Sequence, residues 1–402
     1  MYAFRKPFTA GTFEGTFDNP LLADIGYKSI LVTAQLAGYT LSKFLGIKVV
    51  SEMPASRRVI GILGLIGVAE LALLLFAMTP APWNFFWLFL NGLPLGMVFG
   101  LVLAFLEGRQ MTEALSAGLC ASFIWASGVV KTVGRMLIVD YNVSEYWMPF
   151  WTGLLFVPPL LIGVWMLSQI PQPSEADIAM RTARPPMTRE ERRDFLRRHI
   201  WGLSGLLSIY VLLTVMRSLR DDFAVEIWRD LGVGGTPEVF AQSELWVTVI
   251  VTIVSGAAIV IKNNRTAFLT SLSLQGCGFL LILASLAGYT AGTLDAFPFM
   301  VLLGLGMYVP YVAFHTTLFE RLIAASRDTG NLGYLMYLAD SLGYLGYIVV
   351  VVLRSWLSKD LNFLQLLNRS SAVIAVLSLA ILALVAVHYV RRLPRSVDAP
   401  AS

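Results

Sequence analysis

Tyr2-Ala-Phe-Arg5 lies at the start of the chain, and Thr214-Val-Met-Arg217 answers it past the midpoint. Each arginine ends an otherwise apolar stretch. The offset from Arg5 to Arg217 recurs. Gly118 and Gly134 pair with Gly330 and Gly346 at the same offset, and Glu107 pairs with Glu320 at an offset one position longer. A chain that repeats itself once, with one intramembrane arginine per half, reads as a two-fold bundle that holds an anion between its halves and carries it across.

Composition fixes the class. The 402 residues are 56% hydrophobic and 14% charged, whereas soluble globular chains carry about 25% charged residues. Apolar runs of about 20 residues, the length that spans a bilayer, recur throughout. The expected fold class is an all-α polytopic membrane protein. Eleven complete spans are expected at 27–47, 59–79, 83–106, 115–138, 147–170, 200–224, 240–261, 266–287, 297–318, 331–353 and 370–390. Residues 1–15 read as the outer part of a twelfth helix. If 200–224 opens the second half, the same offset places the start of its partner before Met1. The expectation is a first helix without its start, the alternative being a genuine eleven-span chain. The expected divisions are an N-terminal half at 1–170, a linker at 171–199, a C-terminal half at 200–395 and a tail at 396–402.

The linker is broken by Pro171, Pro173, Pro185 and Pro186 and made basic by seven arginines between Arg181 and Arg198. It ends in a short amphipathic helix around Thr188–Arg198, with Thr188 and Glu191 as a capping box. Its arginines suit acidic lipid better than nucleic acid. The linker side of the alternating topology collects eighteen Lys and Arg residues against nine on the other side. Positive residues stay inside, so the linker and both termini are expected to be cytoplasmic in an inner membrane. Cys120 and Cys277 lie in apolar runs as inert core residues, and no metal, cofactor or catalytic constellation is visible. An enzyme is therefore not expected.

Several motifs together resemble the major facilitator superfamily, and within it the organophosphate:phosphate antiporters. Leu41-Ser42-Lys43-Phe44, then Gly46 and Arg57-Arg58, is similar to their serine-lysine-phenylalanine segment and the basic loop after it. Tyr2-Ala-Phe-Arg5-Lys6 is similar to their first-helix tyrosine–arginine–lysine segment. Tyr308-Val-Pro310, His315, Glu320 and Gly343-Tyr344-Leu345-Gly346 follow their later helices in order. The resemblance implies two six-helix halves rocking around a central anion site lined by Arg5, Arg217, Lys43, Tyr308 and Tyr344. There are departures. Ser127 stands near the place of the family's central histidine, Thr214 replaces a tyrosine, and Lys131 and Arg135 are additions. These imply a divergent bacterial branch, whose substrate does not carry over.

Among residues read on their own chemistry, Arg5 and Arg217 come first. A guanidinium is always charged and grips phosphate or carboxylate in two-pronged fashion. The alternative is that both snorkel to headgroups. Lys43 either lines the cavity or snorkels. Lys131 and Arg135, one turn apart, form either a basic vestibule or pairs with acids such as Asp340 or Asp140. Tyr308, Tyr311, Tyr344 and Tyr347 serve as hydrogen-bonding tips or as packing. His315 is either a substrate or proton group or a structural residue. Glu70, Glu244 and Asp340 are candidates for proton coupling, or neutralise nearby bases. Gly92, Pro94, Gly96 and Gly100, with Gly304, Gly306 and Pro310, let helices approach or bend. The leading expectation is a monomeric secondary transporter of a small organic anion. The alternatives are a receptor of the same fold with a signalling partner, or an exporter of neutral solutes. The charge asymmetry makes one prediction directly. A cysteine at Ser174, in a chain lacking Cys120 and Cys277, should resist impermeant maleimide added to whole cells and react after lysis; efficient labelling from outside would invert the topology.

Overall fold

A computed structural model describes residues 1–15, 26–54, 57–106, 112–171, 189–233, 236–326, 332–357 and 362–393. The expectations placed on Glu107, Gly330, linker residues 172–188 and the 396–402 tail lie outside the described residues. The long helices are α1 (Tyr27–Glu52), α2 (Arg58–Met78), α3 (Phe85–Leu106), α4 (Thr112–Val139), the pair α5 (Met148–Leu155) and α6 (Val157–Ser168), and α7 (Arg189–Asp222). After the short α8 (Ala224–Asp230) come α9 (Glu238–Ile259), α10 (Asn264–Thr290), α11 (Ala296–Ala313), α12 (Phe319–Ser326), α13 (Leu332–Leu357) and α14 (Phe363–Arg392). A π-helical turn, Phe314–Leu318, joins α11 to α12. Each of the eleven expected spans falls on one of these rods.

Among the described residues, nine helices are long and apolar enough to cross a membrane, or ten if the bent pair α5–α6 is one span. That pair bends by 42°, where Pro158 and Pro159 cannot donate to the helical ladder. Helix α1 covers the span expected at 27–47. Its polar residues Lys28, Gln35, Ser42 and Lys43 are all buried, so it spends its polarity on the protein interior and little on lipid. The N-terminal segment also differs from a helix stub. Tyr2–Phe4 and Pro7–Ala10 form two 3-10 turns, because Pro7 interrupts any α-helical ladder there. The basic stretch before residue 200 is not a separate amphipathic helix. It is the first part of α7, whose 34 residues reach about 50 Å and overhang a hydrocarbon core of about 30 Å.

The repeat is visible in the packing. The offset from Arg5 to Arg217 carries α1 onto α9 and α4 onto α13. Across the halves, α1 packs on α13 and α4 packs on α9. These two contacts are the same contact related by the pseudo-two-fold. Within the first half α1 lies closest to α3. A Cβ on Gly92 would collide with the Gln35 carbonyl, and one on Gly38 with that of Phe89. Glycine at both places lets the backbones touch.

Candidate functional site

The cavity between the halves is lined by residues from both. Met1, Tyr2 and Arg5 come from the N-terminal turns, Tyr39 and Lys43 from α1, Phe99 from α3, and Cys120 and Phe123 from α4. Tyr311 and His315 come from α11 and its π turn, and Asp340 and Tyr344 from α13. Its volume is about 30 Å³, room for about two water molecules.

Two amides hold the turn that carries Arg5. Asn91 Nδ2 donates to the Phe4 carbonyl at 2.9 Å, and Gln35 Nε2 to the Arg5 carbonyl at 2.5 Å. A third bond, 2.8 Å from Gln35 to Asn91, locks the pair. At the far end of the segment the Glu145 carboxylate accepts the backbone N–H groups of Thr12 and Phe13, each at 2.8 Å. The turn needs these side chains because its carbonyls have no regular ladder to join.

Charge decides what the site can do. Seven Lys and Arg side chains are buried among the described residues: Arg5, Lys6, Lys28, Lys43, Lys131, Arg217 and Arg220. Five of them meet carboxylates. Lys6 pairs with Asp221 at 2.9 Å and with Asp222. Lys131 also pairs with Asp221, which accepts a further bond from Ser127 at 2.6 Å. Lys28 meets Glu226 at 2.7 Å, Lys43 meets Asp340 at 3.1 Å, and Arg220 meets Glu244 at 2.6 Å. Those five cations are answered by five acids. Arg5 and Arg217 have no carboxylate partner among the described residues, and the Nε of each has no hydrogen-bond partner. They rest on aromatic faces instead. The Arg5 guanidinium lies 3.7 Å from the centre of the Tyr39 ring, and that of Arg217 lies 4.4 Å from the centre of Tyr311. Both are within electrostatic reach of Tyr2 and Tyr344.

The ion pairs form layers. Helix α7 starts at the linker face and ends at the opposite face, so Asp221, Asp222 and Glu226 lie near the opposite face. There they bind Lys6, Lys28 and Lys131. Lys43 and Asp340 sit nearer the linker face, since α1 runs toward it and α13 starts from it. In both layers the lysine comes from the first half and the acid from the second. The two unpaired arginines lie between the layers.

The candidate residues separate accordingly. Lys43 and Tyr344 line the cavity with Arg5, and Tyr344 meets Tyr39 edge-on at 5.4 Å. Arg217 is carried by the Tyr311 wall and is not itself a lining residue. Tyr308 is also off the wall, edge-on to Tyr311 at 6.5 Å and 5.9 Å from the Arg220 guanidinium. Lys131 is neither a vestibule residue nor a partner of Asp340 or Asp140, because Asp221 holds it. Arg135 is half-buried near the end of α4, with no ion-pair partner among the described residues. Glu70 lies away from the cavity against Gly153, and Glu244 is occupied by Arg220. Ser127, in the place of the expected histidine, serves Asp221. Sequence reasoning missed Tyr39, Tyr210, Asp221, Asp222 and Glu226. The available signal was the acidic run Arg220-Asp-Asp222 at the end of a span, which has no reason to be in lipid unless cations face it.

The family model described as a family of unknown function, DUF5690, matches residues 7–392. The chain belongs to this family. No curated protein matches it. Among solved structures it is similar to a D-xylose-proton symporter, with 15% identity and a TM-score of 0.58, over 95% of this chain and 94% of the other. It is also similar to the nucleoside transporter NupG, with 14% identity and a TM-score of 0.56, over 96% of each chain. The fold is thus of the major facilitator type.

The layers make a stability prediction. Lys28→Met should destabilise the detergent-solubilised protein by about 3–5 kcal/mol, since it strands a buried carboxylate, while Lys28→Met with Glu226→Leu should recover most of that loss. Equal melting temperatures for the single and the double variant would contradict a buried pair at this position.

Proposed function

We propose that the chain is a secondary transporter of a small organic anion, worked by rocking its two halves about the central cavity. The observation that carries this reading is the pair of buried arginines left without acids between two layers of satisfied ion pairs. A buried charge is costly and normally finds a partner. Among the described residues, acids meet the five other buried cations and none meets Arg5 or Arg217. A ligand with two negative charges would complete the balance. A phosphate monoester fits best, because guanidinium groups bind its oxygens in two-pronged fashion. Tyr39, Tyr311 and Tyr344 offer rings and hydroxyls to the organic part, and Phe99 and Phe123 add apolar wall. The resemblance to organophosphate antiporters agrees with this choice. The similar solved structures are named as transporters, which agrees with the transport part of it.

The ion-pair layers suit alternating access. Opening at the linker face separates Lys43 from Asp340; opening at the opposite face separates Lys6, Lys28 and Lys131 from their acids. The linker side therefore has less to break and opens first. With the linker and C-terminus cytoplasmic, as the charge asymmetry supports, the first opening faces inward.

Calorimetry on the purified protein at pH 8 with glycerol 3-phosphate as probe tests the site. Arg5→Lys and Arg217→Lys should each weaken binding about ten- to hundredfold, since a charge-assisted hydrogen bond is worth roughly 1.5–3 kcal/mol. A phosphate diester, with one charge, should bind more weakly than the monoester. Wild-type affinity in both lysine variants would remove the paired-arginine site.

A further inference from the structure

Three acids inside the bundle compete for a role in coupling, and their surroundings separate them. Glu244 and its partner Arg220 belong to the same half, so rocking does not part them. Glu70 faces Gly153 in its own half, away from the cavity. Asp340 lines the cavity, and its cation, Lys43, comes from the other half. Its remaining partners move with it. Tyr210 on α7 donates its hydroxyl proton to Oδ1, and His315 Nε2 stands 3.7 Å from the same oxygen.

The histidine is set for one tautomer. Its Nδ1 is 3.0 Å from the Tyr311 carbonyl, which only accepts, so Nδ1 carries the hydrogen. Neutral His315 then presents the bare Nε2 lone pair toward the Asp340 carboxylate. The Tyr210 hydroxyl, 3.3 Å from Nε2, stands between the two acceptors and gives its proton to the carboxylate, and the Lys43 ammonium on the other carboxylate oxygen compensates the charge. The π turn that carries His315 is a wide helical turn of the kind found at functional sites. The titratable and charged groups around this cluster are Lys43 and Tyr39 from α1, Tyr210 and Arg217 from α7, Cys120 from α4 and Arg5 from the N-terminal turn. Tyr311 on α11, and Tyr337 and Tyr344 on α13, complete the set.

We propose that this cluster is a proton site coupled to the opening of the linker face. When the halves part there, Lys43 leaves and Asp340 loses its cation. A proton from solution then binds Nε2 of His315, and the imidazolium takes the place of the ammonium beside the carboxylate. On closure Lys43 returns, two cations would crowd one acid, and the proton leaves. The cluster is neutral in both states. One proton is taken up on opening and released on closing, so acid favours the linker-open state. The proposal rests on the alternating-access reading and is independent of which anion is carried.

Spin labels at Arg57→Cys and Lys262→Cys, both exposed near the linker face on opposite halves, report the opening. The background carries Cys120→Ala and Cys277→Ala, and the protein sits in lipid nanodiscs. Double electron–electron resonance at pH 8.5 and pH 5.5 should give a short and a long distance, with the ratio of long to short at least about fivefold greater in acid. His315→Gln should abolish that dependence, and Lys43→Gln should flatten it while raising the long-distance fraction at both pH values, because the imidazole then meets the same carboxylate in either state. Two populations whose ratio ignores pH in the wild type would overturn the proton site while leaving alternating access intact. So would His315→Gln keeping the full wild-type dependence. A single distance at both pH values, unchanged by glycerol 3-phosphate, would overturn both readings.

Discussion

Lysines from one half meet carboxylates from the other, inside a bilayer that cannot solvate either. Everything else in the structure depends on that match. Alone, Lys6, Lys28, Lys43 and Lys131 would give the first half four buried cations, and Asp221, Asp222, Glu226 and Asp340 would give the second half four buried anions. Neither half can bury these faces without its partner, so the charges themselves specify which surfaces close together. Burial makes each pair costly to break by removing one member. Separation by rocking is different, because it admits water as the charges part. In the proposed rocking, the same pairs would both fix the closed arrangement and allow it to open.

Against this background Arg5 and Arg217 stand out by having no carboxylate partner among the described residues. Tyr39 and Tyr311 offer them ring faces, which stabilise a cation by less than a carboxylate does. The two-fold makes the omission symmetric: the turn carrying Arg5 and the end of α7 carrying Arg217 occupy equivalent places in the two repeats. The cavity measures about 30 Å³, so in the proposed cycle a metabolite would enter with movement of its walls. The movable parts are at hand. Tyr311 stands in the wall beside Arg217, Pro310 and the π turn interrupt the same rod, and the Lys43–Asp340 pair bridges the halves.

Much of this was legible in the sequence. The spans were, because lipid demands about 20 apolar residues per crossing and tolerates few charges. The repeat was, because equivalent arginines and glycines keep a constant offset. What was not legible came from contacts between distant residues. Lys131 and Asp221 are 90 positions apart, and nothing local in either span points to the other. Glu70, Glu244 and Asp340 look alike as single acids in apolar runs; only the packing of α1 on α13 gives Asp340 a partner from the other half. Helix α1 was recognised as a span, yet its polar face could not be assigned until α13 and the N-terminal turns covered it. The turns themselves defied the helical reading because Pro7 has no N–H for a ladder, and the amides of Gln35 and Asn91 take the turn's carbonyls instead.

The central claim is that Arg5 and Arg217 await one dianion shared between the halves. Tungstate has the charge and nearly the size of phosphate and scatters anomalously. Crystals of the protein grown with tungstate should give an anomalous peak within hydrogen-bonding distance of both guanidinium groups, with Lys43 still on Asp340 or displaced from it. A map in which the arginines are ordered, tungstate is absent from between them, and each guanidinium instead meets a lipid headgroup or a protein carboxylate would contradict the account.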